Sequence, residues 1–219
     1  KQRWIDGFIV CSLGSDAPHI RALRDEGYPL VLVNRFEESD VGKVDTVSSD
    51  NYQIGYDATR YLIRTGHKQI AIACGREELL LYRERLRGYR KAMEDNGLPV
   101  REAFVLHEAG GNNGFYYQVR DLVEQGSVPD PKAFVVMHAL HDLGLRMPED
   151  VAVIGVDNVS MASMVEPPLS TISQHLHDMG VAAAKSLIRQ IEYKDKHGEL
   201  PKPQRTIMNS DLIVRRSTN

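Results

Sequence analysis

Apolar residues fall along this chain in two alternating rhythms. Short apolar-rich runs occupy 5–10, 29–33, 44–47, 69–74, 103–106, 133–136 and 151–154. All read as strands, and the continuous runs 29–33 and 151–154 belong to strands buried on both faces, as in parallel sheets. Between them lie stripes at helical spacing. Ile20 and Leu23 follow a cap at Asp16 and a first-turn Pro18. Ile54, Ala58, Tyr61, Leu62 and Thr65 follow a cap at Asp50-Asn51. Tyr82, Leu86, Tyr89 and Met93 share one face of a helix over 79–96. A further helix covers 112–125, and a short one 138–143. Met179, Ala182, Ala183, Ser186, Leu187 and Ile191 form the face of a helix capped by Asp178. Gly27, Gly66, Gly97 and Gly126 stop four of these helices. Residues 169–174 read as extended, 194–203 as a charged loop, and 206–214 as a late strand interrupted by Asp211. Strand and helix alternate almost throughout, which predicts an α/β, doubly wound parallel fold with right-handed crossovers.

The stretch 147–158 organises the rest. Pro148, Glu149 and Asp150 turn the chain into the apolar run 151–154, and Gly155 lets the backbone leave the sheet or lets something approach it. Asp157 and Asn158 then stand just past the carboxyl end of a buried strand, where open α/β folds bind ligands. Asn34 and Arg35 hold the same position after 29–33. An Asn there serves equally well as a turn residue, and for Arg35 solvated charge is the simpler reading. Arg85 lies on the 79–96 helix among Arg83, Glu84 and Arg87. Solvated charge suits Arg83 and Arg87; spacing alone does not separate Arg85 from them.

Composition narrows the function. Of 219 residues 42% are hydrophobic, enough for a sizeable core, and the net charge is −3. That balance argues against a surface gripping nucleic acid by its phosphates. Cys11 and Cys74 each follow or end an apolar run outside any C-x-x-C pair and read as buried free thiols. No run is long enough for a membrane span. His138 with His141, and His175 with His177, have metal-like spacings but no further ligands nearby in sequence, so surface or capping roles are expected. The chain has no G-x-G-x-x-G, P-loop, G-x-S-x-G or catalytic Cys/His signature, so neither a cofactor nor an enzyme activity is expected.

The string 143–158, Leu-Gly-Leu-Arg-Met-Pro-Glu-Asp-Val-Ala-Val-Ile-Gly-Val-Asp-Asn, resembles the lac repressor/galactose repressor family of bacterial transcription regulators. So do 27–35, 61–70, 83–89, 167–172 and the tail Leu-Ile-Val-Arg-Arg-Ser-Thr at 212–218. The resemblance implies a periplasmic-binding-protein-like fold. Two subdomains, 1–49 plus 173–200 and 50–172 plus 201–219, would be joined by crossings near 46–49, 171–174 and 200–203, with a ligand in the cleft. It implies that Arg85 and Asp157 hold ligand oxygens, with Asn34 and Arg35 as candidates from the other subdomain. Leu79 and Leu81 fall where some relatives place polar contacts, which suggests a ligand with an apolar face. Tyr82 and Phe115 could stack on a sugar ring or belong to the core.

The function implied is sensing of a small-molecule effector, a sugar or sugar derivative. The sensor would belong to a cytoplasmic, homodimeric regulator that meets operator DNA through a separate helix-turn-helix headpiece. The alternative is a periplasmic sugar-binding receptor of a transport system. Two departures from the family pattern carry expectations. Two β-α units, roughly 60 residues, would precede Ile5, with the headpiece before them. About eight residues, the end of a strand and the first turns of a helix, are missing between Val136 and Met137. The chain as it stands is not expected to bind operator DNA.

Overall fold

A computed structural model of the protein describes residues 5–11, 17–107, 114–124, 132–134 and 137–219. The junction between Val136 and Met137, the cap at Asp16 and the side chain of His138 lie outside the described residues. Contacts divide the chain into two compact units: Lys1–Asp50 with Glu78–Leu81 and His175–Asn209, and Asn51–Glu77 with Tyr82–Gln174 and Ser210–Asn219.

The first unit is a parallel sheet. Strands β1 (Phe8–Val10), β2 (Leu30–Val33) and β3 (Asp45–Ser49) lie side by side in chain order, with helix α1 (Ala17–Asp25) between the first two in sequence. β2 is buried along its whole length, as its unbroken apolar run requires. β3 is equally buried although its sequence is Asp-Thr-Val-Ser-Ser. That burial is tolerable because Asp45 is satisfied: its carboxylate accepts from the Ser186 hydroxyl, from Arg189 at 2.6 Å and from the Gln204 amide at 2.8 Å. Helix α6 (Leu176–His197) covers the sheet, packing Met179 and Ala183 against Val31, Val33 and Val47. Its buried Gln190 pairs with both the amide and the carbonyl of Leu30, at 3.1 and 3.0 Å.

The second unit is a doubly wound sheet. Helix α2 (Asn51–Arg64) leads into a strand broken at Ala71. Its first part, β4 (Gln69–Ile70), pairs with β7 (Lys132–Phe134), and its second, β5 (Ile72–Cys74), pairs with β6 (Val105–His107). β8 (Val151–Val156) and β9 (Ser170–Ser173) continue the parallel set beyond β7, and β11 (Asp211–Ile213) closes the edge antiparallel to β9. Alternation along β8 splits the core in two. Val151 and Val153 face Val119 of α4 (Gly114–Glu124) and Leu140 of α5 (Met137–Asp142). Ala152 and Ile154 face Leu62 of α2 and Leu86, Tyr89 and Met93 of α3 (Leu80–Asp95).

Several expectations are corrected. The late strand over 206–214 is two strands in two sheets. β10 (Arg205–Met208) runs parallel to β3 in the first unit, and only β11 belongs to the second. The last crossing therefore falls at Asn209–Ser210 and not near 200–203. The stretch Glu78–Leu81 goes with the first unit, because Leu79 bridges to Glu37 and the Leu80 amide donates to the Phe36 carbonyl at 2.9 Å. Helix α6 is capped by His175, in a left-handed conformation (φ 51°), with Asp178 in its first turn, and it runs on to Gly198. Lys194 and Lys196 thus belong to its last turn, where cations suit the helix dipole.

Cys11 is exposed, whereas Cys74 is buried, and both are free thiols. Burial pushes the Cys74 thiol up to about 11, leaving almost no thiolate to react at neutral pH. Native protein treated with iodoacetamide at neutral pH is expected to take one label, on Cys11, and a second only on unfolding. Two labels on folded protein, counted by intact mass, would contradict the burial of Cys74.

Candidate functional site

Asp157 follows β8 with φ 90°, and Asn158 follows with φ 46°. Two consecutive left-handed residues without a glycine are strained, and such strain persists where the surroundings fix it, often at functional sites. Here the fixing contacts are visible. The Asp157 amide donates to the Ile172 carbonyl at 2.9 Å. The Asn158 amide donates to the Thr171 hydroxyl at 3.2 Å, and the Asn158 side-chain oxygen accepts from Arg215 at 2.8 Å. The Asp157 carboxylate accepts from the amide nitrogen of Gln174. Gln174 is fully buried, and its Oε1 has no hydrogen-bond partner. The strand end thus presents a half-buried carboxylate fixed through one oxygen.

Arg85 comes from α3. It is half-buried, while Arg83 and Arg87 on the same helix are exposed. Its Nε donates to Asn51 Oδ1 at 2.9 Å, and its guanidinium carbon lies 5.9 Å from the centre of the Tyr82 ring. Close packing of α3 on α2 makes this possible. A Cβ on Gly55 would come within 2.0 Å of the Arg85 carbonyl oxygen, and one on Gly88 within 2.1 Å of the Tyr52 carbonyl oxygen. Tyr82 in turn lies over Gly75, where a Cβ would sit 2.2 Å from the ring. Arg85, Gly155 and Val156 line one cavity of about 160 Å³ in the second unit, and Val156 precedes Asp157 in the chain. Arg85 and the strand end that carries Asp157 are thereby brought to one place.

Asn34 and Arg35 lie in the first unit. Asn34 is left-handed too (φ 60°), its amide donates to the Val47 carbonyl at 2.8 Å, and its buried Oδ1 has no hydrogen-bond partner. Arg35 is exposed. Leu79 and Leu81 are buried. Phe115 packs against the core beside Val119 and Leu140, as a core aromatic does. Among the described residues no group of three or more His, Cys, Asp and Glu could hold a metal.

Sequence reasoning missed Gln174 and Asn51. Gln174 carries the same signal as Asn34 and Asp157, a polar residue at the end of a buried strand, but the sequence marks 169–174 as extended backbone and, by the resemblance, 171–174 as a crossing, not as part of the site. Asn51 reads in the sequence as a helix cap.

Residues 59–218 match the model of the periplasmic binding protein-like domain. The chain belongs to that family. Among curated proteins it is 31% identical over 193 residues to catabolite control protein A of Priestia megaterium, covering 84% of this chain and 58% of that protein. It is also 31% identical over 220 residues to the HTH-type transcriptional regulator CelR of Thermobifida fusca, covering 97% of this chain and 63% of that protein. The chain thus spans about six tenths of the length of these relatives. Among solved structures it superposes on the transcriptional regulator CelR–cellobiose complex with a TM-score of 0.85 at 31% identity, covering 98% of this chain and 66% of that one. Within the family it corresponds to the effector-binding part of lac repressor-type transcription regulators.

Proposed function

We propose that this chain senses a small polyhydroxylated molecule, a sugar or sugar derivative, through Arg85 and Asp157. The observation that carries the reading is the strained strand end, where Asp157 is held left-handed and clasped by Gln174 beside the cavity that Arg85 lines. Arg offers a planar fork of donors and Asp offers acceptors, so together they can orient adjacent hydroxyl groups. Similarity to a regulator solved with cellobiose supports a carbohydrate. Asn34, with its unpaired Oδ1, and beyond it the exposed Arg35 are the candidates on the first unit. Binding acts by stabilising one conformational state over another. In the whole protein that shift is passed, through a homodimer, to operator DNA held by a headpiece, in the cytoplasm. Its similarity to transcriptional regulators supports reading the chain as a binding module.

A thermal-shift panel of mono- and disaccharides that includes cellobiose identifies the ligand, because a specific binder raises the melting temperature. Calorimetric titration of Arg85→Ala and Asp157→Ala then tests the site. Each variant strands a buried polar group of the ligand at about 1–3 kcal/mol, roughly ten- to a hundredfold in affinity. Alanine at Asn34 and at Arg35, titrated in the same way, ranks the two first-unit candidates. Wild-type affinity in both the Arg85 and Asp157 variants would remove this site from consideration.

A further inference from the structure

The cavity beside Arg85 is more than a rim for polar contacts. Its volume is about 160 Å³, and its walls come from α2, α3, the broken strand and β8. Leu62, Ile70 and Ile154 line it and are buried. The polar groups in the wall are already committed: the Thr59 hydroxyl donates to the Gly55 carbonyl at 2.7 Å, and the Tyr89 hydroxyl to the Ile70 carbonyl at 2.8 Å. A water needs two to four polar partners, whereas an apolar cavity of about 150 Å³ stays dry and takes a guest the size of benzene. Arg85, Gly155 and Val156 are half-exposed, as are Ala58, Ile72 and Ala73, and Arg85 is the charged residue among them. The cavity therefore has an apolar interior and one charged residue, Arg85, at its half-exposed part, and Asp157 follows Val156 of the lining in the chain.

We propose that this cavity is an aglycone pocket, and that the chain's effector is a glycoside whose compact apolar group, a phenyl ring or a short branched alkyl chain, enters between α2 and α3 and the sheet while its hydroxyls meet Arg85 and Asp157. The assignment rests on the sugar reading of Arg85 and Asp157, and it adds the chemical class of what the sugar carries. Filling the pocket with a phenyl group is expected to raise affinity roughly ten- to a hundredfold over a methyl group at the same position.

The test uses three probes on the whole chain: phenyl β-cellobioside, methyl β-cellobioside and benzene. Wild type should bind the phenyl glycoside at least about tenfold more tightly than the methyl glycoside, and benzene should raise its melting temperature. Ala58→Leu, which fills the pocket from α2, should erase both the phenyl preference and the benzene effect while methyl cellobioside still binds. If that variant does not fold, Ala73→Val fills the pocket from the strand side. Equal affinity for the two glycosides in wild type, with no benzene effect, overturns the pocket and leaves the sugar reading standing. Benzene held, with neither glycoside nor any sugar of the thermal-shift panel bound, overturns the sugar reading and with it the aglycone assignment. A phenyl preference that survives in a folded, filled variant places the phenyl group elsewhere and also overturns it.

Discussion

Gly55→Ala and Gly88→Ala are each expected to lower stability by about 3 kcal/mol. Helix propensity alone says the opposite, since replacing a mid-helix glycine by alanine gains about 1 kcal/mol. Space decides the sign. The added methyl would sit 2.0 Å from the Arg85 carbonyl oxygen in one variant and 2.1 Å from the Tyr52 carbonyl oxygen in the other. Both obstacles are main-chain atoms, so no side chain can rotate away and the two helices must part. Parting them opens the packing of Leu62 on Leu86 and Tyr89 and carries off Arg85, whose own carbonyl is the atom struck. The bond from Arg85 to Asn51 goes with it. Gly180 in α6 is the control, because nothing lies within 4 Å of the Cβ it lacks. Gly180→Ala should therefore be neutral or gain up to about 1 kcal/mol. Urea unfolding of the three variants measures this, and stabilisation by alanine at position 55 or 88 would mean the helices stand further apart than described.

The same residues mark what can and cannot be read from a single sequence. The run Val151–Ile154 announces a doubly buried strand because burial on both faces forbids polar positions, and β8 is that strand. β3 is legible as a short strand at 44–47, but its burial hides from the same argument. Its Asp, Thr and Ser are buried because partners from α6 and from Gln204 reach it, and those partners are distant in sequence. A long-range contact leaves no local pattern. The split of 206–214 into β10 and β11 is invisible for a related reason: the two halves differ only in which sheet each joins, β3 on one side and β9 on the other. At the candidate site, the position of Asp157 past a strand end was legible, as was that of Asn34. The left-handed backbone at both was not, because Asn and Asp tolerate it but adopt ordinary conformations as well, and the residue type alone does not choose between them. Arg83, Arg85 and Arg87 are alike in sequence and are sorted only by which of them the packing at Gly55 and Gly88 turns inward.

Arg215→Met is expected to destabilise the second unit by about 2–3 kcal/mol and to weaken effector binding as well. Arg215 ties the end of the chain to both sides of the site loop. One guanidinium nitrogen donates to the Asn158 side chain at 2.8 Å, and the other to the Leu169 carbonyl at 2.7 Å. Hydrogen bonds from a charged donor contribute about 1.5–3 kcal/mol each, and Arg215 is only half-buried, so the lower end applies to both. Methionine keeps much of the stem's packing and removes the donors. The neighbouring tail contacts remain, since the Ser217 hydroxyl still donates to the Val153 carbonyl at 2.6 Å and accepts from the Ser170 amide at 2.8 Å. The loss therefore falls on the loop and not on the sheet. Without Arg215, the left-handed conformation of Asn158 loses one of its restraints, and Asp157 beside it is no longer aimed. Glycine at 158 adopts positive φ without strain, so Asn158→Gly in the Arg215→Met background should recover part of the lost affinity. In a wild-type background the same change should do little for affinity, because the conformation is already held. A purely structural role for Arg215 predicts a lower melting temperature with unchanged affinity and no such rescue. Stability within about 0.5 kcal/mol of wild type, the range of an ordinary surface substitution, would show that the tail does not hold the loop at all.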